Sequence, residues 1–158
     1  MIQNSNSDNL IFYIDGSIKD YKTPNIKSGI GWICEANTNI NFNASTKLYA
    51  DTNRTELEAV LSLLLVIPSN FSIKIHLDNQ TAIKNLQYTS SLKQLHTKNW
   101  DIISFINHLK TLKNLNIQFL KIKSHTNSFH NQADSLAKRG TSKPILKLLL
   151  PTTSTYFL

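Results

Sequence analysis

Apolar and polar positions come in short alternating blocks along the first part of the chain, and then the period changes. Residues 10–14 are a short apolar run that stops at Asp15-Gly16-Ser17, the pattern of a strand entering a turn. Beyond a polar loop holding Pro24, residues 29–34 read as a second strand. Residues 40–45 alternate apolar with polar, as a strand with one wet face does. Three strands so closely joined predict an antiparallel meander. Residues 55–67 are rich in helix formers and apolar nearly all round, which predicts a mostly buried helix ended by Pro68. Residues 72–77 predict a strand leading to Asp78, and Asn79-Gln80 opens a short helix reaching about Leu86. Residues 100–112 carry a helical stripe of Ile102, Ile103, Phe105, Ile106 and Leu109. A strand over 115–123, a polar loop over 124–130 and a helix over 131–139 follow, with Asn131 as the helix N-cap and Gly140 as its stop. The order predicts an α/β domain with parallel crossovers in its second half.

Composition narrows this. A chain of 158 residues, 41% hydrophobic and 17% charged, has room for one well-buried core and is neither disordered nor fibrous. No apolar run approaches the roughly 20 residues that span a bilayer. Residues 1–9 form a polar tail without a basic, apolar leader, so an intracellular, non-secreted protein is expected. The single cysteine, Cys34, excludes an internal disulfide and a cysteine-based zinc site. Seventeen Lys and Arg against ten Asp and Glu leave a formal charge of +7, which favours a polyanionic partner.

Acids are scarce in such a chain, so their positions matter. Asp15 and Asp78 each follow a strand, at the carboxyl ends where open α/β sheets build their sites. Glu56 falls in the first turn of the long helix and Asp134 in the first turn of the last one. Taken singly, each has a plainer role: a turn former for Asp15 or Asp78, a favourable helix-terminus charge for Glu56 or Asp134. Spacing alone does not bring the four together. If they converge, their repulsion demands cations, and all-oxygen ligands suit Mg²⁺ or Mn²⁺. His96, His108 and His130 show no pairing that suggests a metal site, and His76 shares a strand face with Asp78.

The local sequence around these acids resembles the type 1 ribonuclease H family. Phe12-Tyr13-Ile14-Asp15-Gly16-Ser17 is similar to that family's first-strand motif. Thr52 to Val60, with Glu56, resembles its helix motif. Ile73 to Gln80, with Asp78, is similar to its fourth-strand motif, and Ser124-His125 followed by Asn131 to Ala137 resembles its closing motif. The resemblance covers roughly residues 10–141 and leaves 142–158 as an apolar tail that would pack on the sheet edge or touch a protein partner. It implies a ribonuclease H-like fold: a five-stranded mixed sheet, antiparallel meander then parallel strands, flanked by helices. It further implies a metal-dependent endonuclease that hydrolyses the RNA strand of RNA–DNA hybrids, leaving 5′-phosphate and 3′-hydroxyl ends. Asp15, Glu56, Asp78 and Asp134 would hold two Mg²⁺ ions, with Mn²⁺ as a substitute, and His125 would assist proton transfer or product release. Gly16, Ser17, Asn53, Asn79, Gln80 and Asn99 would touch the hybrid, and a monomer is expected. In this chain Ser124 stands where the family commonly has glycine, and Lys121 where tryptophan is frequent.

Two other readings share the fold. A non-catalytic nucleic-acid-binding module, derived from a retroelement ribonuclease H domain, would keep the surface and lose the chemistry. A 3′–5′ exonuclease would typically carry Asp-x-Glu in the first strand, where this chain has Asp15-Gly16-Ser17.

Overall fold

The computed structural model describes residues 9–46, 51–87 and 98–146. Strands β1 (Leu10–Lys19), β2 (Lys27–Cys34) and β3 (Asn41–Thr46) form the antiparallel meander. Helix α1 (Thr52–Val66) crosses to β4 (Ser72–Leu77), which pairs parallel with β1. Helices α2 (Gln80–Gln87) and α3 (Trp100–Leu112) lead to β5 (Asn116–Lys121), parallel to β4. Helix α4 (Ser128–Gly140) is followed by a two-residue β6 (Ile145–Leu146) that adds to the edge of β3. The sheet order is β5-β4-β1-β2-β3-β6, the expected five strands with one short addition. That addition draws Ile145 and Leu146 of the predicted tail onto the sheet edge; residues 147–158 lie outside the described residues, as does His96.

Several boundaries differ from the sequence pattern, and those nearest the acids differ for local reasons. Asp15-Gly16-Ser17 is not a turn: β1 stays paired with β2 as far as Lys19 opposite Lys27. The reversal comes later, where Thr23 N–H donates to Asp20 O and Ile26 N–H to Thr23 O. Helix α1 starts at Thr52 because the Asp51 carboxylate accepts from Asn53 N–H at 3.1 Å, an N-cap. Glu56 therefore lies in the second turn. Helix α4 starts at Ser128 because Asn127 Oδ1 accepts from the N–H groups of Phe129 and His130, at 2.8 and 3.2 Å. Asn127, not Asn131, is its cap, and Gly140 is its last residue rather than its stop.

Alternation along β1 and β2 divides the core between two faces. Phe12, Ile14, Ile30, Trp32 and Cys34 join Leu57, Leu61, Leu64, Ile102 and Ile106 in a large core under α1 and α3. Trp32 is structural: its Nε1–H donates to Ser62 Oγ at 3.1 Å and Phe42 stacks on it. Tyr13 and Ile33 point the other way, against Ala133 and Leu136 of α4. Asp15, two residues after Tyr13, shares that second face. No helix among the described residues is long and apolar enough to cross a membrane.

Arg54 ties α1 to α3. Its guanidinium makes a two-pronged contact with Asp101 at 3.0 and 2.9 Å, donates to Asn99 Oδ1 at 3.2 Å and lies 3.4 Å from the buried Glu58. Burial pushes the Glu58 carboxyl up, and Arg54 is among the groups that hold it down. Arg54→Ala strands that carboxyl, so we expect a loss of about 2 kcal/mol. In a thermal melt this is a fall of roughly 5 °C, which Asp101→Asn reproduces only in part.

Candidate active site

Parallel pairing of β1 with β4 ends at Tyr13 opposite His76, so Asp15 projects just past that junction. Asp78 follows β4 directly, so the two carboxylates leave neighbouring parallel strands at the same edge. Glu56 reaches this edge from the other face. Gly16 N–H donates to Asp15 Oδ1 at 2.8 Å and lies 3.3 Å from Glu56 Oε1. A Cβ on residue 16 would stand 2.7 Å from Thr55 Cγ2, so only glycine lets α1 bring Glu56 this close.

The electrostatics of this edge are unfavourable in the absence of a cation. Glu56 is buried, and its Oε2 has no hydrogen-bond partner among the described residues. Burial pushes its carboxyl well above the ordinary range, and the Asp15 charge adds to the rise. Burial likewise pushes Asp15 up to about 6; its closeness to Glu56 and to His130 holds it down in part, while the Asp78 charge adds to the rise. Asp78 is half-buried, with Ser124 Oγ donating to its Oδ2 at 2.6 Å and Lys121 Nζ to its backbone oxygen at 3.0 Å. Hence Ser124 and Lys121, both departures from the family pattern, contact Asp78.

Asp134 is less closely drawn in. It lies on α4, where Lys138 Nζ holds its Oδ2 at 2.7 Å. One turn earlier stands His130, which the sequence pattern does not single out. It is 2% exposed, its Nε2 is 4.0 Å from Asp15 Oδ2, and neither ring nitrogen has a hydrogen-bond partner among the described residues. A buried donor left in this state costs about 1–3 kcal/mol. Potential ligand atoms of Asp15, Asp78 and His130 lie within 4.8 Å of one another, while Glu56 and Asp134 stand outside that group of three. This corrects the expectation that His130 has no pairing relevant to a metal. The signal was its spacing of four from Asp134, hidden by placing the helix cap at Asn131.

A family model described as RNase H matches residues 7–142. The chain belongs to the RNase H family. Among solved structures, it is similar to a chain described as the crystal structure of LC11-RNase H1 in complex with RNA/DNA hybrid. The two are 19% identical with a TM-score of 0.63, over 84% of this chain and 96% of that one. No curated protein matches it.

The remaining candidates of this RNase H chain have contacts of their own. His125 is exposed in the loop before α4, with φ of 61° in the left-handed region that glycine favours, one residue after the Ser124 that grips Asp78. Asn79 Oδ1 caps α2 by accepting from Ala82 N–H at 3.0 Å, while its Nδ2 donates to Asn53 Oδ1 at 2.6 Å. Those two asparagines form one unit, and Gln80 beside them is exposed. Asn99, also left-handed with φ of 67°, donates to Asp51 Oδ2 at 3.0 Å and accepts from Arg54, so it is bound into the α1–α3 junction. Ser17 lines a surface groove of about 540 Å³ with Lys19, Ser135, Lys138 and Arg139. Three cations there make the flank of the acidic edge suited to a phosphate backbone.

Proposed function

We propose that this chain is a metal-dependent ribonuclease that hydrolyses the RNA strand of RNA–DNA hybrids. The observation that carries the reading is the meeting of Asp15, Glu56 and Asp78 at one sheet edge, with a buried Glu56 oxygen lacking a partner. Carboxyls pushed upward by burial and by each other are what divalent cations relieve, so the residues fit the ions the family implies. Asp15, Glu56, Asp78 and Asp134 are the proposed ligands of two Mg²⁺ ions, or Mn²⁺ in their place. Such ions would supply charge neutralisation at the scissile phosphate and an activated water.

The chain's own groups then have distinct tasks. The half-buried Asn53–Asn79 pair, the exposed Gln80 and the backbone at Gly16 and Ser17 would take the minor groove, where ribose 2′-hydroxyls distinguish RNA from DNA. Lys19, Lys138 and Arg139 would hold phosphates along the groove beside Ser17. Asn99 would contact the DNA strand through its exposed edge. Water attack on phosphorus with loss of the 3′ oxygen gives 5′-phosphate and 3′-hydroxyl ends, and His125 would return a proton to the leaving oxygen. Asp134 has first to exchange Lys138 for an ion. That bridge is also the observation favouring the non-catalytic binding module.

The test is cleavage of a labelled RNA–DNA hybrid with Mg²⁺, Mn²⁺ or EDTA, beside duplex DNA, duplex RNA and single-stranded RNA. Internal cuts confined to the hybrid's RNA strand, and abolished by EDTA, are expected. Tight hybrid binding with no cuts in either metal would refute catalysis and favour the binding module.

A further inference from the structure

His130 faces the carboxylates of Asp15 and Asp78, and nothing among the described residues satisfies its ring nitrogens. It projects from α4 toward the same edge as Asp15, 2% exposed, with both ring nitrogens unpartnered among the described residues. A neutral imidazole has one N–H that must donate and one lone pair that must accept, so a buried ring with neither engaged is rare. Its Nε2 lies 4.0 Å from Asp15 Oδ2, too far for a hydrogen bond. Two ligands each about 2.1 Å from one ion stand about 3.0 Å apart when adjacent and about 4.2 Å apart when opposite. The separation therefore suits a shared ion better than a direct contact. Asp78 completes the group, its candidate ligand atom within 4.8 Å of the other two.

We infer that His130 is a nitrogen ligand to the ion held by Asp15 and Asp78, and that this site prefers Mn²⁺ to Mg²⁺. The inference rests on the metal-dependent reading above and adds a specificity to it. Mg²⁺ favours oxygen-only shells, whereas an imidazole raises affinity for first-row transition ions. Holding the ring by the backbone of α4, which packs against β1 and β2, fixes the nitrogen without a flexible loop. Nδ1 then carries the ring proton and the Nε2 lone pair faces the ion.

Metal-free protein is titrated with Mn²⁺ and examined by pulsed electron paramagnetic resonance, which detects a directly bound nitrogen. An imidazole coupling is expected in the wild type, kept in His125→Ala and His76→Phe and lost in His130→Gln. The Mn²⁺ dissociation constant should rise by about tenfold or more in His130→Gln. The Mg²⁺ constant, read by competition, should move by less than about threefold. If His130→Gln does not fold, ¹⁵N-histidine labelling of a protein carrying His76→Phe, His96→Gln, His108→Gln and His125→Ala, in which His130 is the one histidine left, reads the same ligand. Bound Mn²⁺ without nitrogen coupling, coupling that survives His130→Gln, or no Mn²⁺ binding at all would overturn the inference. Nitrogen-bound Mn²⁺ in a protein that never cuts the hybrid would sustain this ligand and refute the hydrolase reading alone.

Discussion

Asp15→Asn is expected to abolish hybrid cleavage, by about a thousandfold or more, while making the metal-free protein more stable. The two effects share one cause. Asp15 is buried beside Glu56 and Asp78, and burial lifts its carboxyl to about 6 from an ordinary value of 3.8. A carboxyl whose folded value is raised binds its proton better in the native state than in the unfolded chain. Its contribution is therefore full below about pH 4 and is lost as pH rises through about 6, a difference of about 3 kcal/mol. Glu56, pushed up further, extends the decline to higher pH. Metal-free wild type should consequently melt higher at pH 5 than at pH 8, the reverse of a protein held by ionised salt bridges. Asparagine keeps the shape and removes the charge, so its melting temperature at pH 8 should exceed the wild type's by about 5 °C or more. At pH 4 the difference should close. Divalent cations should raise the melting temperature of the wild type strongly and of Asp15→Asn weakly, since ions that bind only the native state stabilise it by mass action. An Asp15→Asn protein that melts lower at pH 8, or still cuts, would show that Asp15 is not the repelled centre of the site.

The pattern of residues carried most of this architecture because apolar period reports burial directly. β4 and α3 have the predicted bounds, since each is an apolar repeat closed by a clear change of composition. Errors arose where a polar residue served tertiary structure. Asp15-Gly16-Ser17 has turn composition, yet Gly16 is there to admit Thr55 and Glu56 across the sheet, a demand that local spacing does not express. Asn127 and Asn131 are equally good caps on paper, and only the packing of α4 selects the first. That single choice moved His130 from a loop onto the helix face that meets Asp15. The acids along the chain could be picked out as unusual, and the family motifs named them. Lys121 and Ser124 on Asp78 could not be read from the sequence, because side-chain reach between elements leaves no period in it.

Gly31→Ala is expected to be among the most damaging single changes, costing about 3 kcal/mol and lowering the melting temperature by about 10 °C. Helix α4 lies directly on the glycines of β2. A Cβ at residue 31 would stand 2.5 Å from Ala137 N, 2.7 Å from Leu136 Cβ and 2.8 Å from Ala133 O. At Gly29 it would meet the Ala137 carbonyl and Thr141 N even more closely. Two of the three contacts at residue 31 are helix backbone, which cannot rotate away as a side chain can. The whole helix must lift from the sheet, by about the ångström that separates these distances from ordinary contact. For that reason Leu136→Ala, which clears only the side-chain contact, should not rescue Gly31→Ala. Gly16→Ala differs: its closest obstacle is the Thr55 methyl at 2.7 Å, so Thr55→Ser should recover much of the loss. Lifting α4 also withdraws His130 and Asp134 from the edge where Asp15 and Asp78 stand. Gly31→Ala should accordingly bind Mn²⁺ at least about tenfold more weakly at temperatures where it is still folded, a loss that Arg54→Ala, on the opposite face, should not share. Equal Mn²⁺ affinity in the two variants would mean that the seating of α4 does not set the distance from His130 to Asp15.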